Sequence, residues 1–466
     1  MAVGTTPDRL VRLRAAVESF DRSNGGVRVS GAVTEVFQSH FCVDGLSAFV
    51  QLGDCVMVDT DRGEVPAQVI RIARDNALVK SFRSHVGVSI GARVFRKGPF
   101  EISPDPVWKG RTLNAFAEPI DGGPVLPRGT GKRAVDAAPP NPMGRARIRQ
   151  AASTGVRVID AFMPLCQGQR IGVFAGSGVG KSTLLSMMCQ SESFDSVVIC
   201  LVGERGREVR GFLEEVLGER AATAITVVAT GDESPMMRRL APLTAMAVAE
   251  YFRDCGEKTL LIMDSVTRYA HALREIALAA GEPAVANGFT PGVFADLPAL
   301  LERAGPGGEG AGSITGIFSV LVDGDNHNDP IADCIRGTLD GHIVLDRAIA
   351  EQGRYPAVDV LKSISRLANI AWQAGERAIV DDCRALIARF EDTRDLRLLG
   401  GYQSGLDPLL DRAVALAPQI YDKLRQSPLD PPASNAIADL AQIIDRNGAD
   451  PAEGSSPAQA RLFKDS

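Results

Sequence analysis

The chain has 466 residues, of which 45% are hydrophobic and 23% charged, with 47 glycines and 27 prolines. This is the balance of a folded globular protein rather than a disordered or fibrous one, and at roughly 150 residues per domain it predicts about three domains. Against 51 basic residues stand 57 acidic ones, a net charge of −6 and the wrong sign for a chain whose main task is to coat nucleic acid.

The start MAVGTTPDRLVRLR lacks the apolar core of a signal peptide, and no apolar run approaches the ~20 residues that cross a bilayer. Eight scattered cysteines, without a CxxC pair or zinc spacing, fit reduced thiols in a reducing cytoplasm. A soluble cytoplasmic protein is expected, with any membrane work done through partners.

Residues 8–20 set Leu10, Leu13, Val17 and Phe20 at helical spacing. The spacing predicts an amphipathic helix that packs on its own domain or docks a partner. From 27 to 97, short runs rich in Val, Ile and Phe alternate with Gly and Asp, the texture of a small β-barrel. Residues 118–147 are dense in Pro and Gly and read as an ordered entry loop. Beyond it, apolar strands (QRIGVFAG, SVVICLVG, AITVVAT, KTLLIMD, ITGIFSVLV) alternate with helical stretches. That alternation predicts a parallel sheet covered on both faces, an α/β fold. From about Trp372 the texture is helical, and 455–466 is a loose polar tail.

The strongest chemical signal runs from Ala175 to Thr183, AGSGVGKST, after a strand and opening a helix. This is a P-loop in its required setting, with Ala175 as a small-residue variant at the first position. Its glycines Gly176, Gly178 and Gly180 let the backbone of Gly176, Ser177, Gly178, Val179 and Gly180 curl around phosphate oxygens. Lys181 supplies positive charge to the β and γ phosphates, Ser182 offers a hydroxyl to Mg²⁺, and Thr183 follows on the helix. Asp264 ends the apolar strand KTLLIMD, where a carboxylate would hold a water on Mg²⁺. Glu204 follows the strand VVICLVG, expected beside the P-loop strand, where a carboxylate can polarise an attacking water. Its alternative is a surface ion pair with Arg205 or Arg207. Later, Tyr355 is a candidate adenine platform and Arg366 a candidate finger toward a neighbouring subunit; packing or surface roles are the alternatives.

The strings GQRIGVFAGSGVGKSTLL, LVGERGREV, LLIMDSVTRYAHALREIALAAGEP, FADLPALLERAG, GSIT, DPIADCIRGTLDGHIVLDR and RYPAVDVLKSISR resemble the catalytic subunits of rotary-type ATPases, and most of all the ATPases of bacterial flagellar and type III protein export. The resemblance covers roughly 28–407. It implies a RecA-like P-loop NTPase core with an N-terminal β-barrel and a C-terminal helical domain. The implied division is 1–26 as a docking helix, 27–97 as barrel, 98–371 as ATPase domain and 372–466 as helical domain with its tail.

The resemblance further implies an Mg²⁺-dependent ATPase with Lys181 and Ser182 at phosphate and metal, Glu204 activating water and Asp264 at the metal. Arg268 is placed near the γ-phosphate, Tyr355 against adenine, and Arg366 as a finger across a subunit interface. Because one chain carries both Glu204 and Arg366, a homohexamer is expected. Implied partners are a regulatory stator-like protein at residues 8–20, a central stalk-like protein, export gate membrane proteins, and export chaperones and substrates, without nucleic acid. Work at the cytoplasmic face of the inner membrane follows, with the turn from Glu391 to Asp395 as a stalk contact or a plain solvated helix end. Flagellar export is the first reading. A virulence type III secretion ATPase, a rotary synthase ring subunit, an RNA translocase and a nucleotide-binding scaffold without turnover are the rivals.

Overall fold

The computed structural model describes residues 28–84, 87–322, 329–433 and 435–446. The helix expected over 8–20 and the tail over 455–466 lie outside the described residues. Two compact units carry the chain: one runs to Phe100 and adds Ser234–Met237 and Glu275–Pro283, and the other holds the rest.

In the first unit six strands alternate inward apolar and outward polar residues. They are β1 (Ser30–Val36), β2 (Phe41–Asp44), β3 (Cys55–Thr60), β4 (Gly63–Ile72), β5 (Asn76–Ser81) and β6 (Arg93–Gly98). Antiparallel pairing in the order β1-β2-β5-β4-β3-β6 closes them into a barrel. Val33, Val43, Val56, Val58, Val69, Val79 and Val94 fill it, each 1% exposed or less. Closure removes the unpaired edges that an open sheet would expose. At Gly31 an added Cβ would sit 2.3 Å from the Asp44 carbonyl oxygen, so the approach of β1 to β2 requires glycine.

The second unit is built on a mainly parallel sheet. Its principal strands are β7 (Thr112–Asn114), β8 (Arg170–Ala175), β9 (Ser196–Val202), β10 (Ala224–Ala229), β11 (Lys258–Asp264), β12 (Ser313–Leu321), β13 (Gly341–Leu345) and β14 (Ile364–Ser365). They lie in the order β14-β13-β8-β12-β11-β9-β10-β7, and among these β14 alone runs antiparallel to its neighbour. Every residue of β9 and β10 is buried, as continuous apolar runs require in a sheet covered on both faces.

This order corrects one expectation. The strand before Glu204, β9, is not beside the P-loop strand β8; β12 and β11 stand between them. Strands that come later in the chain insert between earlier ones, so sequence order does not give sheet order. Glu204 still faces the site because the intervening strands are parallel and end on one edge.

The helices that matter for the site are α1 (Arg157–Phe162), α2 (Lys181–Cys189), α3 (Gly206–Leu217), α4 (Pro235–Asp254), α5 (Val266–Ala279), α6 (Glu376–Asp392), α7 (Pro408–Leu424) and α8 (Ala436–Arg446). Val380, Cys383 and Ile387 of α6, Leu416 and Ile420 of α7, and Leu440 of α8 share one apolar cluster with Ile159 and Phe162 of α1 and with the sheet. The Pro-rich stretch before α1 is ordered by specific bonds. Arg111 grips Asp121 at 2.7 and 2.8 Å, Trp108 Nε1 donates to the Pro127 carbonyl at 2.9 Å, and Arg145 Nη1 donates to the Ala304 carbonyl at 2.8 Å. None of the eight cysteines forms a disulfide, and six are buried.

Candidate active site

Strand β8 ends at Ala175, the loop turns through 176–180, and α2 starts at Lys181. Gly178 (φ +79°) and Gly180 (φ +92°) take left-handed backbone that a side chain would strain. Val179 is 2% exposed and anchors the loop in the apolar cluster, leaving only its backbone for a phosphate. Ser177, Ser182 and Thr183 are exposed. Arg347, which ends the string DPIADCIRGTLDGHIVLDR but has no role assigned there, braces the loop from outside, its Nη2 donating to the Ser177 carbonyl at 3.2 Å.

Lys181 Nζ pairs with Asp264 Oδ1 across the gap between α2 and the end of β11. Asp264 is 2% exposed, and Ser319 Oγ on β12 donates to the same Oδ1 at 2.9 Å. The cation, the carboxylate and the exposed Ser182 hydroxyl thus stand at one edge of the sheet. Oxygen donors of this kind suit a hard divalent cation. Among the described residues no group of three or more His, Cys, Asp or Glu could hold a metal. This sparse set fits Mg²⁺, which keeps waters and phosphate oxygens among its ligands rather than a full protein cage.

Glu204 sits in the gap between β9 and α3, half-buried. Gly231 N donates to the Glu204 carbonyl at 2.9 Å and Gly203 N to the Ala229 carbonyl at 2.7 Å, so the turn after β10 fixes the Glu204 backbone. Burial pushes the Glu204 carboxyl above its ordinary range and the Asp264 charge adds to this, while Lys181 and Arg268 pull the other way. The four groups are therefore one electrostatic cluster. Arg268, on α5, packs its stem so closely on Gly203 (φ +72°) that an added Cβ would lie 2.3 Å from Arg268 Cδ. Its Nε is buried without a hydrogen-bond partner among the described residues, a donor left over beside Glu204.

Tyr355 closes the other side. A Cβ on Gly180 would lie 3.6 Å from Tyr355 Cε1, and the ring is 48% exposed over a cavity of about 650 Å³. Thr183, Leu184 and Met187 of α2 form one wall, and Arg425, Gln426, Ser427, Pro428 and Asp430 form another. That second wall is not foreshadowed by the sequence strings that carry the resemblance, which end near residue 407. Gln426 bolts it in place: its N donates to the Tyr355 carbonyl at 3.0 Å, its Nε2 to the Gly155 carbonyl at 2.9 Å, and its Oε1 accepts from Arg157 N at 2.8 Å.

Arg366 does not join this cluster. Its strand pairs Ser365 with Gly341, at the amino end of β13, whereas the P-loop leaves the sheet where Ala175 pairs with Leu345. From Gly341 to Leu345 the strand rises about 13 Å, at ~3.3 Å per residue, beyond what one exposed arginine spans.

The profile of the ATP synthase alpha/beta family nucleotide-binding domain matches residues 155–365, and that of the T3SS EscN ATPase C-terminal domain matches 372–442. A flagellum-specific ATP synthase of Rhizobium meliloti (strain 1021) is 51% identical over 457 residues, 98% of this chain and 97% of its own. Among solved structures, the assembled ATPase EscN from the enteropathogenic E. coli type III secretion system superposes with TM-score 0.83 at 38% identity, over 89% of this chain and 100% of that one. EscN in complex with its central stalk EscO gives TM-score 0.81 at 37% identity, over 89% of this chain and 100% of that one.

Proposed function

The chain belongs to the ATP synthase alpha/beta family, in its branch of flagellum-specific and type III secretion ATPases, and from that premise we propose that it hydrolyses ATP with Mg²⁺ to energise flagellar type III protein export. One observation carries the chemistry: Lys181, Asp264, Glu204 and Arg268 form a single charge cluster beside a glycine-formed phosphate loop.

ATP seats its phosphates on the backbone of 176–180 and on Lys181, which leaves Asp264 for the incoming negative charge. Its adenine lies on Tyr355 in the cavity closed by Arg425 and Pro428. Ser182 and Asp264 would hold Mg²⁺, which supplies neutralisation of phosphate charge when bound. Glu204 orients a water toward the γ-phosphate and takes its proton, a task suited to a carboxyl whose pKa already stands high. Arg268 keeps its leftover donor for the γ-phosphate network. Arg366 reaches the transition state of a neighbouring subunit, because the register keeps it from its own.

On this reading the chain works as a homohexamer, supported by the likeness to assembled EscN, and engages a central stalk-like protein, supported by the likeness to EscN bound to EscO. A regulatory stator-like protein at 8–20, export gate proteins at the inner membrane, chaperones and unfolding substrates complete the proposal. No described helix is long and apolar enough to cross a membrane. The division at 27–97, 98–371 and 372–466 is proposed with it, supported by a barrel ending at Gly98 and a C-terminal profile starting at 372. The flagellar branch is preferred over virulence secretion because flagellum-specific relatives are 51% and 52% identical over 98% and 95% of this chain, against 42% and 43% over 85% and 78% for type III secretion ATPases.

Deletion in the source cell tests it. Loss of swimming and of secreted filament protein, restored by the wild-type chain but not by Glu204→Gln, is expected, with ATPase activity of the purified protein abolished by EDTA and recovered with Mg²⁺. Normal motility with lost virulence secretion would reassign the branch.

A further inference from the structure

The segment 353–356 walls two cavities. Tyr355 faces the base cavity, while the adjoining Arg354 lines a second cavity of about 400 Å³ with Phe390, Glu391, Arg397 and Tyr421. We propose that Arg354 is a positioning residue for the nucleotide base: held by Tyr421 and Glu391, it keeps the Tyr355 ring at its station beside the P-loop. This rests on Tyr355 being the base platform.

The helical turn 347–351 holds the start of this segment, with Gly353 N and Arg354 N donating to the Ala350 and Ile349 carbonyls at 2.9 and 3.3 Å, but no strand pairing holds Tyr355 itself. The Asp346 N–H reaches Ala357 and the bridge from Leu345 reaches Val358, both beyond Tyr355. Side chains take over where strand pairing is missing. The Arg354 guanidinium lies 3.9 Å from the centre of the Tyr421 ring, on α7, and its Nη2 is 3.8 Å from Glu391 Oε1, on α6. The Tyr421 hydroxyl donates to that same Oε1 at 2.6 Å, so ring, carboxylate and guanidinium form one closed triangle. Burial pushes the Tyr421 hydroxyl pKa up and the bond to Glu391 adds to this, so Tyr421 stays a donor throughout the neutral range. Arg354 and Glu391 are 16% and 30% exposed, which spares the pair much of the screening that weakens surface ion pairs. Two further tethers, Gln426 N to the Tyr355 carbonyl and Arg425 Nη2 to the Gly353 carbonyl at 3.4 Å, come from the same C-terminal side. Past the helical turn 347–351, the base platform is thus carried from the side of α6 and α7 rather than by strand pairing. A planar guanidinium is needed because it stacks on the ring and meets the carboxylate together, which a lysine ammonium does less well.

The test compares steady-state ATP hydrolysis by the full chain and by Arg354→Ala, Arg354→Lys and Tyr421→Phe, with inorganic tripolyphosphate as an inhibitor that engages the P-loop but has no base. For Arg354→Ala the expected result is a KM for ATP raised about tenfold, kcat at saturation kept within about twofold, and an unchanged inhibition constant for tripolyphosphate. Arg354→Lys restores part of the KM, and Tyr421→Phe, which keeps the ring but frees Glu391, gives a smaller rise. An unchanged KM, or a tripolyphosphate constant rising in step with KM, overturns the proposal. If Arg354→Ala does not fold, Tyr421→Phe decides it by the same two readouts. A normal KM in Tyr355→Ala, by contrast, would remove the base platform itself.

Discussion

In the proposed mechanism, turnover depends on Glu204. Half-buried, near Asp264 and opposed by Lys181 and Arg268, its carboxyl has a pKa above the ordinary value, so it is a stronger base than a solvated carboxylate. Glu204→Gln preserves shape and removes the proton acceptor. Turnover should fall by about 10²–10⁴, the usual worth of a general base, with ATP affinity retained in a fluorescent-nucleotide titration. The pH profile carries a second signature. A raised pKa means that the residue protonates, and activity is lost, at a higher pH than an ordinary glutamate would impose. The acid limb of kcat should therefore lie above the normal carboxylate range and should be missing from the small residual activity of Glu204→Gln. A limb at the ordinary position would mean that Glu204 is solvated in the working enzyme.

Elements, not residues, place the cavity proposed for the base. The turn after α7 is held by Gln426, 5% exposed, whose side chain bonds the Gly155 carbonyl just before α1 and Arg157 N at its first residue. Gln426→Ala leaves both backbone groups without their partner and should cost about 1–3 kcal/mol, read as a lower Tm. Because Gln426 N also holds the Tyr355 carbonyl, KM for ATP should rise in the same variant more than kcat falls. A lower Tm with unchanged KM would show that this wall is structural only. The P-loop, by contrast, is legible in the sequence, because strand, glycine loop and helix are contiguous and their chemistry is local. Residues 425–430 are not legible there: they are more than 240 positions from Lys181, and nothing in their spacing announces a base.

For the whole molecule, the decisive fact is the distance between Arg366 and its own P-loop. An arginine finger is worth about 10³–10⁵ in rate, so on the proposed finger role of Arg366 the chain should gain activity on assembly. Mixing Arg366→Ala with Lys181→Ala subunits should restore part of the activity that neither has alone, since some interfaces then combine an intact loop with an intact finger. Mixed assemblies that form and stay inactive would exclude a shared site.

Sequence alone is enough for the barrel, the α/β core and the strand, glycine loop and helix over 170–189. Each is written in local periodicity or in a contiguous motif, and local interactions need no knowledge of the rest of the chain. The order of strands is beyond it: β12 and β11 separate the P-loop strand from the strand before Glu204, because crossover connections let late strands insert between early ones. The second wall of the base cavity and the clamp of Arg354 on Tyr421 and Glu391 are beyond it too. They bring together residues tens to hundreds of positions apart, and such contacts exist only once the helical end has packed into the same apolar core as the sheet.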